Sequence, residues 1–122
     1  MNQVLVINER LPGLNDYIKA ERTTRYAAST MKHDWQRIII AYIKESHLKP
    51  VTKPVRLRYE FHEPNKRRDK DNVAAIAHKF IQDALVSAGI LQDDGWNEIL
   101  GYSDSFYISN PPYITVYIEE EP

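Results

Sequence analysis

The sequence predicts a single α+β domain in which two helices pack on a mixed or largely antiparallel sheet, with the element order β-α-β-α-β-β. Two observations predict this class. Apolar residues recur with a strand period in some segments and with a helix period in others, and Pro and Gly residues fall between those segments, where turns belong. The chain has 122 residues and is 43% hydrophobic, which is enough for one core. We therefore expect one domain over residues 1–122.

The first half of the chain contains one predicted strand and one predicted helix. Residues 3–8 form a short apolar run, which is typical of a buried strand. The polar residues 11–24 include a Pro-Gly pair and are predicted to form an irregular loop, of a length that is often functional. Helical spacing of apolar residues then begins at Ser29 or Thr30, either of which suits an N-cap, and continues to about Ser46.

The second half contains the clearest patterns. Residues 55–61 alternate between apolar and charged side chains, as a half-buried strand does. Apolar residues in the segment 73–88 recur at positions i, i+3, i+4 and i+7, and Gly89 is placed to end this second helix. Residues 98–108 and 113–119 are predicted to form two further strands, joined around an Asn-Pro-Pro segment.

Composition excludes several classes of function. The chain has no cysteine, which excludes disulfide scaffolds and cysteine nucleophiles and fits a cytoplasmic location. No signal peptide, membrane span or Gly-rich phosphate loop is visible, so we expect neither a membrane nor a nucleotide cofactor. The four histidines lack the spacing of zinc ligands and are predicted to be surface or loop residues: His33, His47, His62 and His78.

The charge pattern is compatible with DNA binding. The net charge is −1, but three of the acids are the terminal residues 119–121, and without them the bases outnumber the acids. Basic side chains of this kind contact DNA phosphates. The candidate DNA-binding residues are Lys66, Arg67, Arg68 and Lys70, joined by Arg22, Arg25 and Lys32.

Two acidic pairs flank the second predicted helix. Asp69 and Asp71 lie two residues apart where a strand ends and the helix begins. An N-cap explains one of them, but crowded carboxylates are often relieved by a divalent cation such as Mg²⁺. Asp93 and Asp94 follow the helix and precede Gly95, where an Asp-Gly turn is the alternative explanation. If the returning strand runs beside the first one, three carboxylates converge.

One edge of the same helix carries polar residues of three kinds. Asn72, Lys79 and Asp83 fall within a stripe of roughly 40° that borders the apolar face, since successive residues advance by about 100°. Lys79 and Asp83 are also explained by an ordinary surface ion pair at i,i+4 spacing. Their position relative to the acids decides between these interpretations.

The motifs in the centre of the chain are Asp69-x-Asp71-Asn72, Lys79, Asp83-Ala84-Leu85, Ala88-Gly89-Ile90 and Asp93-Asp94. This block resembles that of the RusA family of Holliday-junction resolvases, in the form that phages and prophages carry. Residues 11–17 are similar to the family's N-terminal loop, so the likeness covers most of the chain, and residues 67–96 are its specific part. The sequence departs from the family's best-known member in placing Lys79 seven residues after Asn72 rather than three. The difference is about one helical turn, which keeps the lysine on the same face.

The resemblance implies a Mg²⁺-dependent endodeoxyribonuclease that cuts four-way DNA junctions, with Mn²⁺ as a possible substitute. It implies that Asp69, Asp71 and Asp94 bind the metal, with Asp93 in support. Asp94 is preferred as the third acid because it directly precedes the Gly-Trp turn, and Lys79 would neutralise charge at the phosphate.

The remaining implications concern partners and alternatives. Asn72 and Asp83 would be supporting residues of the site. Because a junction needs two symmetric cuts and the chain offers one acidic cluster, a C₂ homodimer is expected. The alternatives are a non-catalytic module that binds branched DNA and a metal-dependent nuclease that acts on other branched DNA.

Overall fold

The computed structural model describes residues 2–122, which form a four-stranded sheet and three helices. The predicted α+β class is confirmed. In chain order the elements are β1 (Asn2–Ile7), α1 (Leu14–Thr23), α2 (Ala27–Glu45), β2 (Val55–Glu63), α3 (Lys70–Ser87), β3 (Ile99–Ile108) and β4 (Tyr113–Glu120).

The sheet is mixed and has the strand order β1-β4-β2-β3. Strand β4 is antiparallel to both β1 and β2, whereas β2 and β3 are parallel and are joined by the α3 crossover. In the register, Tyr59 lies between Val116 of β4 and Asp104 of β3. Two consequences matter for the site: β1 and β3 are the edge strands, and β2 and β3 end at the same edge of the sheet.

The core lies between one face of the sheet and the helices. The predicted alternation of β2 is confirmed, since its inward residues Val55, Leu57, Tyr59 and Phe61 are all buried. Burying a large apolar side chain contributes about 1.5–3 kcal/mol relative to leaving it exposed, so this face fixes α3 firmly on the sheet. The buried residues of α3 are Val73, Ala74, Ile76, Ala77, Phe80, Ile81, Ala84 and Leu85.

The prediction of an irregular loop over residues 11–24 is wrong, because helix α1 occupies most of this segment. Gly13 is its N-cap, and the Asp16 carboxylate accepts a hydrogen bond of 2.9 Å from the Gly13 backbone N–H. The Tyr17 ring packs 6.0 Å from that of Phe80 on α3, which anchors the helix. The domain therefore has three helices rather than two.

The other boundaries differ from the prediction by small shifts. Helix α2 begins at Ala27, before Ser29, and its N-cap Tyr26 makes no side-chain capping bond. Helix α3 begins at Lys70 and ends just before Gly89, whose φ of 78° is the left-handed conformation expected after a helix. No helix within residues 2–122 combines the length and the apolar character needed to cross a membrane.

Candidate metal and DNA site

Two carboxylates lie at the N-terminus of α3, where the helix dipole favours negative charge. Asp69 is the N-cap, and its Oδ1 accepts a hydrogen bond of 2.8 Å from the backbone N–H of Asn72. Asp71 lies in the first turn and is exposed. Capping uses only one oxygen of Asp69 and neither oxygen of Asp71, so three carboxylate oxygens remain available to a ligand.

These carboxylates border an open cavity of about 670 Å³ at the carboxyl ends of the parallel strands β2 and β3. Ligands of α/β sheets commonly bind at this position, and the N–H groups that begin a helix favour anions there. One further acid at the cavity, Glu63, is already bound to Arg10 at 2.9 Å. The cavity is lined by Glu63, Asn65, Lys66, Arg68, Asp69, Lys70, Asp71, Val73, Phe106, Tyr107 and Ile108.

The segment before α1 is attached to the same helix N-terminus. The Arg68 guanidinium donates hydrogen bonds to the carbonyl of Leu11 at 3.0 Å and to Asp16 at 2.8 Å. The side chain of Asn72 accepts a bond of 2.9 Å from the backbone N–H of Asn15. These contacts position the two acids and give Asn72 and Arg68 a structural role at the site.

Close packing between Gly13 and Asn72 makes this attachment selective for glycine. A Cβ added to Gly13 would lie 2.7 Å from Oδ1 of Asn72, which is closer than real Cβ contacts. The hydrogen bond from Asn15 holds that oxygen in place. Gly13 therefore allows the N-terminal segment to approach α3.

Lys79, Asp83 and the second acidic pair form a different pocket. Nζ of Lys79 lies 3.7 Å from Oδ1 of Asp83, and Nζ of Lys32 lies 3.1 Å from Oδ2 of the same residue. The pocket has a volume of about 340 Å³ and includes Asp93 and Asp94, both exposed. The ion pair predicted at i,i+4 spacing is present, and Asp83 binds two lysines.

Within one chain the structure does not bring Asp94 to the first acidic pair. Asp69 follows the end of β2, whereas Asp94 precedes the start of β3, and the two strands are parallel. The two residues therefore lie at opposite ends of the sheet. Within residues 2–122, no three Asp, Glu or His side chains are grouped closely enough to hold one ion together.

A third groove connects the two regions along α3. It has a volume of about 540 Å³, and both Asp71 and Lys79 line it. These residues are eight positions apart, which corresponds to about 12 Å along the helix axis. Lys79 also lines the pocket of Asp94, so its ammonium is placed between the two acidic pairs.

His78 is a residue of this groove that the sequence did not single out. It lies in α3, is half-buried, and its Nε2 is 2.7 Å from Oδ1 of Asp104 on β3, so the prediction of a surface or loop position is wrong. Its ring packs 4.6 Å from those of Tyr59 and Tyr102. Burial raises the pKa of Tyr59 well above its ordinary value, with a smaller contribution from Asp104. The signal for this pair is tertiary, because the two residues belong to different elements.

The predicted DNA-binding residues divide into two groups. Arg68 is held by the N-terminal segment, and Lys32 is paired with Asp83. The others form no ion pair with a carboxylate of residues 2–122 and are exposed: Lys66, Arg67, Lys70, Arg22 and Arg25. Of these, Lys66 and Lys70 line the cavity of the acids, and Arg67 lies between them and Asp69 in the chain.

Comparison with known proteins identifies no relative: no family model matches the chain, and no curated protein is significantly similar to it.

Proposed function

We propose that the protein is a metal-dependent endodeoxyribonuclease that resolves Holliday junctions by paired nicks. The observation that carries the proposal is the pair Asp69 and Asp71, whose free carboxylate oxygens border an open cavity between exposed bases. Acids alone would repel DNA, and bases alone would only bind it. Together they suit a site that receives a phosphate and a cation.

The donor set fits Mg²⁺. This ion is usually held by one or two carboxylates and keeps water or phosphate oxygens in its other positions. Asp69 and Asp71 would hold it, and when bound it supplies positive charge at the scissile phosphate. By resemblance to the RusA family, Asp94 is the third acid and Asp93 supports it.

The other residues of the site bind and orient the substrate. Lys66, Arg67 and Lys70 contact phosphates beside the cavity and contribute an affinity that falls with salt. Lys79, farther along α3, neutralises charge on the phosphate backbone. Asp83 positions the Lys79 ammonium, and Asn72 holds the N-terminus of α3 against the segment before α1.

The choice of a four-way junction as substrate comes from the motif block, residues 67–96. Resolution needs two cuts in strands of the same polarity, so the functional unit is a homodimer with two equivalent acid pairs. Phosphodiester hydrolysis at such a site needs no covalent enzyme intermediate. The protein's residues bind, orient and neutralise.

The test is cleavage of a synthetic mobile four-way junction, with a linear duplex of the same sequence as the reference substrate. We expect symmetric paired nicks in the junction with Mg²⁺, and none with EDTA or with Asp71→Asn. Asp34→Asn is the matched control, because Asp34 is an exposed acid on α2 whose ion pair with Arg37 contributes little.

Other outcomes distinguish the alternatives. Tight junction binding without cleavage in Mg²⁺ or Mn²⁺ would establish a non-catalytic binding module. Equal cleavage of flaps, forks and junctions would make the protein a nuclease of branched DNA in general. Cleavage that persists in Asp71→Asn would remove the acid pair from the mechanism.

A further inference from the structure

Strand β3 leaves an unprotected edge at one side of the sheet. It has ten residues and is last in the strand order, so within residues 2–122 nothing pairs with its outer backbone groups. Proteins usually protect such edges with lysine, proline or a bulge. β3 contains no lysine, arginine or proline, and its one charged residue, Asp104, is paired with His78.

Exposed apolar side chains concentrate at the same edge. A majority of the large hydrophobic residues exposed within residues 2–122 belong to β3 or to the turn before it. The side chain of Trp96 is 95% exposed, which is unusual for tryptophan in a protein that acts alone. The others are Leu100, Tyr102, Tyr107 and Ile108.

The opposite edge strand, β1, does not share these properties. It has six residues, and the Gln3 side chain donates to the carbonyl of Lys49 and accepts from its N–H, at 2.9 Å and 2.7 Å. The segment before β2 is thereby attached to β1. The edge that lacks such a cover is that of β3.

The acidic pairs indicate what occupies this edge. In one chain Asp94 lies at the end of the sheet opposite Asp69 and Asp71. A second copy related by a two-fold axis through β3 runs in the reverse direction, so its own Asp94 comes to the end that carries Asp69 and Asp71. The two incomplete clusters of the monomers become two clusters of three acids.

We propose that β3 pairs antiparallel with β3 of a second copy, and that Asp94 of each copy joins Asp69 and Asp71 of the other. The interface follows from the edge itself, whereas the role of Asp94 rests on the function proposed above. The pairing extends the sheet across both chains and covers the apolar residues of β3.

Side-chain charge selects the register. A two-fold axis perpendicular to the sheet pairs residues of the same face, and two registers pair almost the whole strand, centred on Ser103 or on Asp104. The second places two Asp104 carboxylates opposite each other, which is unfavourable. The register centred on Ser103 instead places Tyr102 opposite Asp104 of the second copy, and Leu100 opposite its Phe106.

The interface is tested by mass in solution and by cross-linking. We expect a dimer at micromolar concentration that becomes monomeric in Leu100→Lys, while Val4→Lys on β1 stays dimeric as the matched edge-strand control. The chain has no cysteine, so Ser103→Cys should form an intermolecular disulfide on oxidation. Ser105→Cys should not, because two copies of that residue would be about 14 Å apart in this register. A monomeric wild type, or a cross-link with Ser105→Cys alone, would refute the proposed pairing.

The shared site is tested by mixing two inactive variants. An Asp71→Asn and Asp94→Asn heterodimer has one intact site if the acids come from different copies, and none if they come from the same copy. Random exchange of subunits should restore nicking at about a quarter of the wild-type number of sites. A dimeric mixture that stays inactive while wild type cuts would refute the shared site.

A readout without cleavage separates this proposal from the proposed function. Electron paramagnetic resonance measures free Mn²⁺ during titration of the protein. We expect Asp94→Asn and the monomeric Leu100→Lys to weaken Mn²⁺ binding at least roughly tenfold, the loss that even an outer partner of a metal ligand can cause. Unchanged affinity in Leu100→Lys would mean that the second copy contributes no ligand, whether or not junctions are cut.

Discussion

Asp69 has two roles that the structure assigns to different oxygens. One oxygen caps α3 by accepting the N–H of Asn72, and the other faces the cavity side with Asp71. Capping requires a short side chain with an acceptor, which serine also provides, whereas metal binding requires the carboxylate. Substitution can therefore separate the stability of the helix from the chemistry of the site.

We expect Asp69→Ser to unfold with nearly the wild-type free energy but to lose junction cleavage. Asp69→Ala should lose cleavage and also about 1 kcal/mol of unfolding free energy, because the cap is gone. Urea unfolding and the junction assay measure the two properties on the same samples. Full activity in Asp69→Ser would leave Asp69 as a cap only.

Residues of the site differ in how far the sequence could predict them. Asp69 and Asp71 were placed correctly at the start of a helix, because a strand period changes to a helix period just around them. His78 was not predicted, since its partner Asp104 is 26 residues away and belongs to another strand. Only the parallel pairing of β2 with β3 brings these two side chains together.

At the scale of elements, α1 shows why a polar segment was mistaken for a loop. Its apolar residues are few and none is fully buried, so the helical period is weak. The helix is fixed instead by the bonds from Arg68 to Leu11 and Asp16, which periodicity does not reveal. The longer and better packed α3 was predicted nearly completely.

We expect Gly13→Ala to destabilise the protein, because its Cβ would lie 2.7 Å from Oδ1 of Asn72. Overpacking of this kind typically costs about 1–3 kcal/mol. Asn72→Ala alone should cost about 1 kcal/mol through the lost hydrogen bond to Asn15. In the double variant the clash is absent, so the two effects should be less than additive.

Thermal or urea unfolding of the four proteins completes this cycle. Ser29→Ala on α2 is a suitable control, since Ser29 is exposed and makes no side-chain hydrogen bond within residues 2–122. Strict additivity in the cycle would mean that Gly13 and Asn72 do not interact as the geometry requires.

For the whole molecule, topology decides which acids can meet. The expectation of three converging carboxylates assumed that a returning strand brings Asp94 back to Asp69. A strand-helix-strand crossover instead makes the strands parallel, so the start of the second lies opposite the end of the first. Physical reasoning about this connection thus separates the two acidic pairs within one chain, and a second copy is needed to reunite them.

Charge at the same scale is distributed unevenly. The chain carries a net charge of −1, yet Lys66, Arg67 and Lys70 surround the acid pair without carboxylate partners in the described chain. Several other bases are neutralised locally, as Arg37 is by Asp34 and Arg56 by Glu121. Affinity for DNA should therefore depend on the bases around the cavity and little on overall charge.

We expect the logarithm of the DNA association constant to fall with the logarithm of salt concentration by about 0.9 for each phosphate contact. Removing two of them, in Lys66→Gln/Arg67→Gln, should reduce the magnitude of this slope by about 2 per chain in contact with DNA. The control Arg37→Gln/Arg56→Gln changes the net charge equally but removes bases that are already paired. Fluorescence anisotropy with a labelled junction, in EDTA to prevent cleavage, measures the slopes. Equal changes in both double variants would show that net charge, rather than the cavity of Asp69 and Asp71, sets the affinity.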